Sequence, residues 1–132
     1  MNRSYSIAAI IFDMDGLMLD TERSARLGWE TAFHEHGYHL TEEVYIQMLG
    51  RTPEDIKNLF LSSFGPDFPY ESIRKRRMEI TREFHQIHGY PTKEGLFSLI
   101  QFFRKLKLPL AVATSTSRKS ALPRMQAAGL SS

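Results

Sequence analysis

The stretch Ile10-Ile11-Phe12-Asp13-Met14-Asp15-Gly16-Leu17-Met18-Leu19-Asp20-Thr21-Glu22 decides how the rest of the chain is read. Its lead-in, Ala8 to Phe12, is an unbroken apolar run rich in Ile and Phe, which predicts a strand buried on both faces. The run ends in two carboxylates two positions apart and a glycine. Strand side chains repeat with period two, so Asp13 and Asp15 are expected to point the same way. Gly16 then permits a sharp departure of the backbone. Open α/β sheets bind ligands at the carboxyl ends of their strands. Two like charges held there need a positive counterweight, and Mg²⁺ with its oxygen ligands is the natural one. A calcium loop of EF-hand type is excluded, because Leu17, Met18 and Leu19 stand where further oxygen ligands would be required.

Downstream, four helices are expected before any second strand. The first follows a cap at Asp20 or Thr21, turns Ala25, Trp29, Ala32 and Phe33 to one side, and ends at Gly37. Thr41 caps the second, and Gly50 stops it. Thr52-Pro53-Glu54-Asp55 is a start signal for the third: a capping hydroxyl, proline at the first helical position, acids behind it. Gly65-Pro66 closes that helix. The fourth runs from about Tyr70 to His88 and is terminated by Gly89 and Pro91.

Pro91 to Gly95 reads as a return crossing. A helix from about Glu94 places Leu96, Leu99, Ile100 and Phe103 on one face. Pro109 then introduces a second apolar strand, Leu110 to Ala113, which runs into Thr114-Ser115-Thr116-Ser117. Strand, crossover helix and strand make a parallel βαβ unit with the helices spliced into its crossover. Both strands would then end at one sheet edge, with Asp13 and Asp15 across a crevice from Thr114 and Ser115. Hydroxyls and backbone N–H groups before a helix suit a phosphate. A last helix is expected near Ser120, with Pro123 in its first turn and Gly129 at its end.

Composition narrows the function. The 132 residues are 42% hydrophobic and 24% charged, an ordinary globular balance sufficient for one modest core. A net charge of +2 is too small to argue for nucleic acid or an anionic membrane. The absence of cysteine removes thiol nucleophiles, thiolate metal sites and disulfide scaffolds. No apolar run is long enough to span a bilayer, and Met1-Asn2-Arg3-Ser4 lacks the layout of a signal peptide, so a cytoplasmic enzyme is expected. The basic run Arg74-Lys75-Arg76-Arg77 reads as a solvated helix face. The five histidines show no metal-ligand spacing.

An apolar strand entering Asp-x-Asp-Gly-x-x-x-Asp-Thr-Glu resembles the first motif of the haloacid dehalogenase-like (HAD) superfamily. The closest branch is its phosphatases and β-phosphoglucomutase-like enzymes. Val112-Ala113-Thr114 is similar to the family's second motif. The resemblance implies an α/β fold: a Rossmann-like parallel-sheet core at 1–19 and 90–132, with an inserted four-helix cap at 20–89. It implies a Mg²⁺-dependent phosphatase acting on small phosphorylated metabolites of sugar-phosphate type through an aspartyl-phosphate. Asp13 would be the nucleophile and Asp15 the general acid and base. Asp13 and Asp15 would hold the metal, and Thr114 and Ser115 the phosphoryl group. Leu17 to Asp20 and Tyr90-Pro91 would be the hinges, and Arg51, in a cap loop, a substrate contact.

Two further motifs of that family, a lysine and an acidic pair, are not found in this sequence; Lys119 falls in the wrong place to serve. The core is therefore expected to be incomplete and the chain inactive or nearly so by itself. A complementing chain, or self-association through an exposed sheet edge, is an expected partner. Two other readings stay open. A phosphoglucomutase-like phosphotransferase is disfavoured by Ser24-Ala25-Arg26-Leu27, where mutase-like members tend to carry a histidine. The other is a non-catalytic binding or regulatory fragment.

Overall fold

The computed structural model describes residues 4–130; the start of the N-terminal stretch, Met1 to Arg3, and the final two serines lie outside the described residues. In chain order the elements are β1 (Ile10–Asp13), α1 (Thr21–Glu35), α2 (Glu42–Met48), α3 (Pro53–Phe64), α4 (Tyr70–His88), α5 (Leu96–Lys105), β2 (Leu110–Ala113) and α6 (Arg118–Ala127). The fold is α/β with a parallel sheet of Rossmann type. The chain divides into two compact units, one formed by residues 1–22 and 88–132, the other by residues 23–87.

In the first unit β1 pairs parallel with β2, Ile10 opposite Leu110 through Asp13 opposite Ala113. Apolar side chains from one face of this sheet and from the two following helices make the core. Phe12, Met14, Met18, Leu19, Leu96 and Ala121 are its buried members. The Phe12 and Phe103 rings meet at 6.1 Å.

The expectation of a strand buried on both faces from Ala8 to Phe12 is corrected. Ala8 and Ala9 are exposed and precede the strand. Within it Phe12 is buried while Ile11 is 70% exposed. The pleat explains the alternation: α5 and α6 contribute to the cluster around Phe12, and Ile11 points the other way. Ala111 and Ala113 of β2 are likewise exposed.

The last helix also differs from expectation. It starts at Arg118, so Pro123 lies in its interior. The Ser117 carbonyl accepts from the N–H groups of both Ser120 and Ala121, which starts the helix two residues earlier. Pro123 then costs one intrahelical bond, because proline has no N–H to donate.

The second unit is helical and aromatic. Phe33 and Phe60, both fully buried, meet edge to face at 5.0 Å, and Trp29, Phe64, Phe68 and Tyr70 extend the cluster. T-shaped packing of this kind places positive ring edges on negative faces. Its helix starts follow from sequence: Thr41 Oγ1 accepts from Val44 N–H, and Thr52 Oγ1 from Asp55 N–H with Pro53 opening the helix. Several contacts tie α1 to α4. Ser24, nearly fully buried, is hydrogen-bonded to His85 Nε2 at 3.0 Å. Gly28 sits so close to α4 that a Cβ there would meet Thr81 Oγ1 at 2.7 Å and the Arg77 carbonyl at 3.0 Å. Arg77 lies over the Trp29 ring, and burial pushes its guanidinium down from the ordinary arginine value.

Candidate active site

The carboxyl ends of β1 and β2 lie side by side, because the parallel register pairs Asp13 with Ala113. Beyond Asp13 the chain turns over itself. Met18 and Leu19 both donate to the Met14 carbonyl, and Gly16 donates to Leu19, with Gly16 at φ +79°. That backbone conformation is costly for a residue with a Cβ, and a Cβ would also meet the Glu22 side chain. Met14 is buried beneath the turn, while Asp13 is exposed and Asp15 partly so. Period-two alternation therefore persists from Phe12 to Asp15.

The outgoing and returning crossings are stapled together. Asp20 N–H donates to the Pro91 carbonyl at 2.8 Å and Lys93 N–H to the Met18 carbonyl at 2.9 Å. Lys93 Nζ approaches Asp20 Oδ1 at 3.5 Å. These bonds fix the residues just after the acid pair, so the turn that carries Asp15 is braced from outside.

Two residues beyond the sequence expectation meet Asp15. The Thr116 hydroxyl donates to Asp15 Oδ2 at 2.7 Å. Arg124, on α6, brings Nη1 to 3.6 Å from Asp15 Oδ1 and lies over the Tyr90 ring. Oδ1 itself is shielded from solvent and has no hydrogen-bond partner. Thr114 Oγ1 accepts from Thr116 N–H at 3.1 Å, which sets the loop that delivers the Thr116 hydroxyl. Ser115 is exposed. The hydroxyl meeting the acid thus comes one strand period after Thr114. Only the hydroxyl-rich run Thr114 to Ser117 signalled it, and nothing local signalled Arg124.

Arg51 belongs to the helical unit, exposed between α2 and α3, where its N–H donates to the Met48 carbonyl. An open groove of about 660 Å³ runs beside β2, walled by apolar residues including Leu110, Val112, Leu122 and Met125, with Thr114 and Thr116 among its lining. Neither acid lines it, but it shares Thr114 and Thr116 with the chemistry-bearing end of the sheet.

The donors suit a hard divalent cation in kind. Asp13 offers an exposed carboxylate with no hydrogen bond or ion pair among the described residues, and Mg²⁺ takes oxygen ligands from one or two carboxylates while keeping several waters. No group of three or more acidic or histidine side chains converges among the described residues.

A parallel α/β sheet with two acids at the end of its first strand, hydroxyls at the end of its second and a helical unit between them defines a class of hydrolase core. The match to a family model confirms the class: residues 10–132 fit haloacid dehalogenase-like hydrolases, and the chain belongs to that family. It is 26% identical over 120 residues to the phosphorylated carbohydrates phosphatase of Thermotoga maritima, an alignment covering 89% of this chain and 54% of that protein. A β-phosphoglucomutase-type structure from Thermotoga maritima superposes with a TM-score of 0.70 at 24% identity, over 94% of this chain and 57% of the other. A Bacillus subtilis hydrolase of the family, solved bound to magnesium, superposes with a TM-score of 0.62 at 18% identity, over 92% and 60%. The chain thus spans somewhat over half the length of these relatives. No helix among the described residues is long and apolar enough to cross a membrane.

Proposed function

We propose that this sequence is the nucleophile-bearing part of a phosphatase that hydrolyses small phosphorylated metabolites, with sugar phosphates the preferred class. The observation that carries the reading is the pairing of Asp13 and Asp15, at the end of β1, with the Thr114–Thr116 loop at the end of β2. The substrate class is supported by the phosphorylated carbohydrates phosphatase among the relatives.

Asp13, exposed and unpaired, attacks phosphorus through a carboxylate oxygen. The phosphorus–ester oxygen bond breaks, and Asp15 gives its proton to the departing alkoxide. Asp15 then takes a proton from water, whose oxygen attacks the acyl phosphate, releasing inorganic phosphate and restoring Asp13. Thr114 and the Ser115 N–H hold the phosphoryl oxygens. Asp13 and Asp15 would hold Mg²⁺, which when bound neutralises negative charge between carboxylate and phosphate. Thr116 keeps Asp15 oriented for its proton transfers. The helices of residues 20–89 act as a cap that excludes water and selects the substrate, with Arg51 as a contact for its anionic part. The cytoplasm is the compartment this reading assigns.

A second reading applies to the 132 residues taken alone. Among the described residues, a two-stranded sheet with Ile11 exposed and no group of three acidic or histidine side chains favours binding without turnover. Either completion by another chain or self-association through the sheet would serve it. The test is p-nitrophenyl phosphate hydrolysis, with and without Mg²⁺, by the natural full-length protein and its Asp13→Asn variant. Mg²⁺-dependent turnover abolished by the substitution is expected. Turnover that survives Asp13→Asn removes the proposed nucleophile.

A further inference from the structure

The acid pair lies beside a guanidinium that the mechanism above does not use. Arg124 reaches Asp15 Oδ1 at 3.6 Å, inside ion-pair range but beyond hydrogen-bond length, and no hydrogen bond is made to that oxygen. Its side chain is one-third exposed and is supported by the Tyr90 ring. Arg124 is the one cation within 4 Å of either Asp13 or Asp15 among the described residues. Its neighbours in space are linked: Asp15 Oδ2 to the Thr116 hydroxyl, and Thr116 N–H to Thr114 Oγ1.

A phosphate monoester entering this site brings up to two negative charges to a place that already holds two carboxylates. Repulsion opposes its entry unless a cation shares the site. A guanidinium carries five donors in a planar fork, and its charge-assisted bonds to phosphate are stronger and shorter than neutral ones. The long, unbonded contact with Asp15 leaves those donors available.

We propose that Arg124 is a phosphate-binding residue of this site, moving its guanidinium from Asp15 to the oxygens of a bound phosphate. The assignment rests on the phosphatase reading and adds to it the protein group that admits the anion. It also gives Asp15 a resting partner that the arriving substrate removes, so binding the phosphate frees the acid for proton transfer.

Calorimetric titration of the chain with inorganic phosphate, in the presence of Mg²⁺, tests this. Arg124→Gln is expected to weaken phosphate binding about tenfold or more, the scale of one charge-assisted bond. Arg124→Lys, which keeps the charge and loses the fork, is expected to fall between the two. Phosphate binding equal in wild type and Arg124→Gln overturns the role of Arg124 and leaves the phosphatase reading standing. A wild type that binds no phosphate overturns both. Circular dichroism melting of each variant accompanies the titration. Should Arg124→Gln prove unfolded, wild-type side-chain shifts decide: a shifted Arg124 Nε–H resonance on adding phosphate supports the role, and an unmoved one overturns it.

Discussion

The Thr116 hydroxyl donates to the Asp15 carboxylate at 2.7 Å, joining residues 101 positions apart in the chain. This bond links the ends of β1 and β2 through side chains as well as through the sheet. Replacing Thr116 with Val keeps the shape and removes the donor. A hydrogen bond to a charged acceptor contributes roughly 1.5–3 kcal/mol, less where solvent reaches the pair. Urea denaturation is expected to show a loss of about 1 kcal/mol for Thr116→Val and almost none for Thr116→Ser. A loss for Thr116→Ser with none for Thr116→Val would mean that the methyl group, rather than the hydroxyl, matters there.

The close crossing at Gly28 makes a second prediction. Gly28→Ala adds a Cβ that meets Thr81 Oγ1 at 2.7 Å and the Arg77 carbonyl at 3.0 Å. The hydroxyl can turn aside, but the carbonyl belongs to α4 and moves only with the helix. Overpacking of this kind costs about 1–3 kcal/mol. Adding Thr81→Ala should recover part of the loss and not all. Full recovery, seen in the same denaturation series, would assign the clash to the hydroxyl alone.

Phe33 is the pivot of the helical unit, in ring contact with Trp29, Phe60, Phe64 and Phe68. Phe33→Ala should cost about 3–5 kcal/mol, because a cavity in an interlocked aromatic cluster cannot collapse freely. Near-ultraviolet circular dichroism should lose its aromatic signal at lower urea than wild type. An unchanged midpoint would show that the cluster does not hold the unit together.

A pH effect follows from Glu35. Its hydrogen bond to the Arg76 guanidinium, at 2.6 Å, holds its carboxyl below the ordinary glutamate range. The folded state therefore releases that proton more readily than the unfolded chain. The pair's contribution is complete above the unfolded value and is lost as pH falls through the folded one, roughly from pH 5 downward. Both side chains are over one-third exposed, so the effect is small and screened by salt. The stability gap between wild type and Arg76→Gln should narrow from pH 7 to pH 3.5. A gap that widens on acidification contradicts the sign.

Much of the fold is legible in local chemistry. The bounds of α4, Tyr70 to His88, follow from its apolar stripe and from Gly89 and Pro91 beyond it. Thr41 and Thr52 announce α2 and α3 because a capping hydroxyl is a local device. The strand Leu110–Ala113 is bracketed by Pro109 and the hydroxyl run. The start of α6 is less legible: Ser117, one of several adjacent hydroxyl residues, begins it, and Pro123, which ordinarily marks a first turn, lies in its interior. One-sided burial of β1 was hidden for another reason. Ile10, Ile11 and Phe12 are all apolar, so the pattern cannot reveal which face stays bare.

At the candidate site the split is between local and distant signals. Asp13 and Asp15 stand out because their spacing and Gly16 are read within four residues. The partners of Asp15 do not. Thr116 and Arg124 reach it only after the crossover folds back, and no periodicity in α6 marks Arg124 as facing an acid.

The most direct test of the central claim is an amide NMR titration of the labelled chain with inorganic phosphate and Mg²⁺. The account predicts shifts concentrated at Asp15, Thr114, Ser115 and Thr116, weakened by Asp13→Asn when Mg²⁺ is present. Shifts confined to the helical unit, or none at millimolar phosphate, would contradict the assignment of the phosphate site to the ends of β1 and β2.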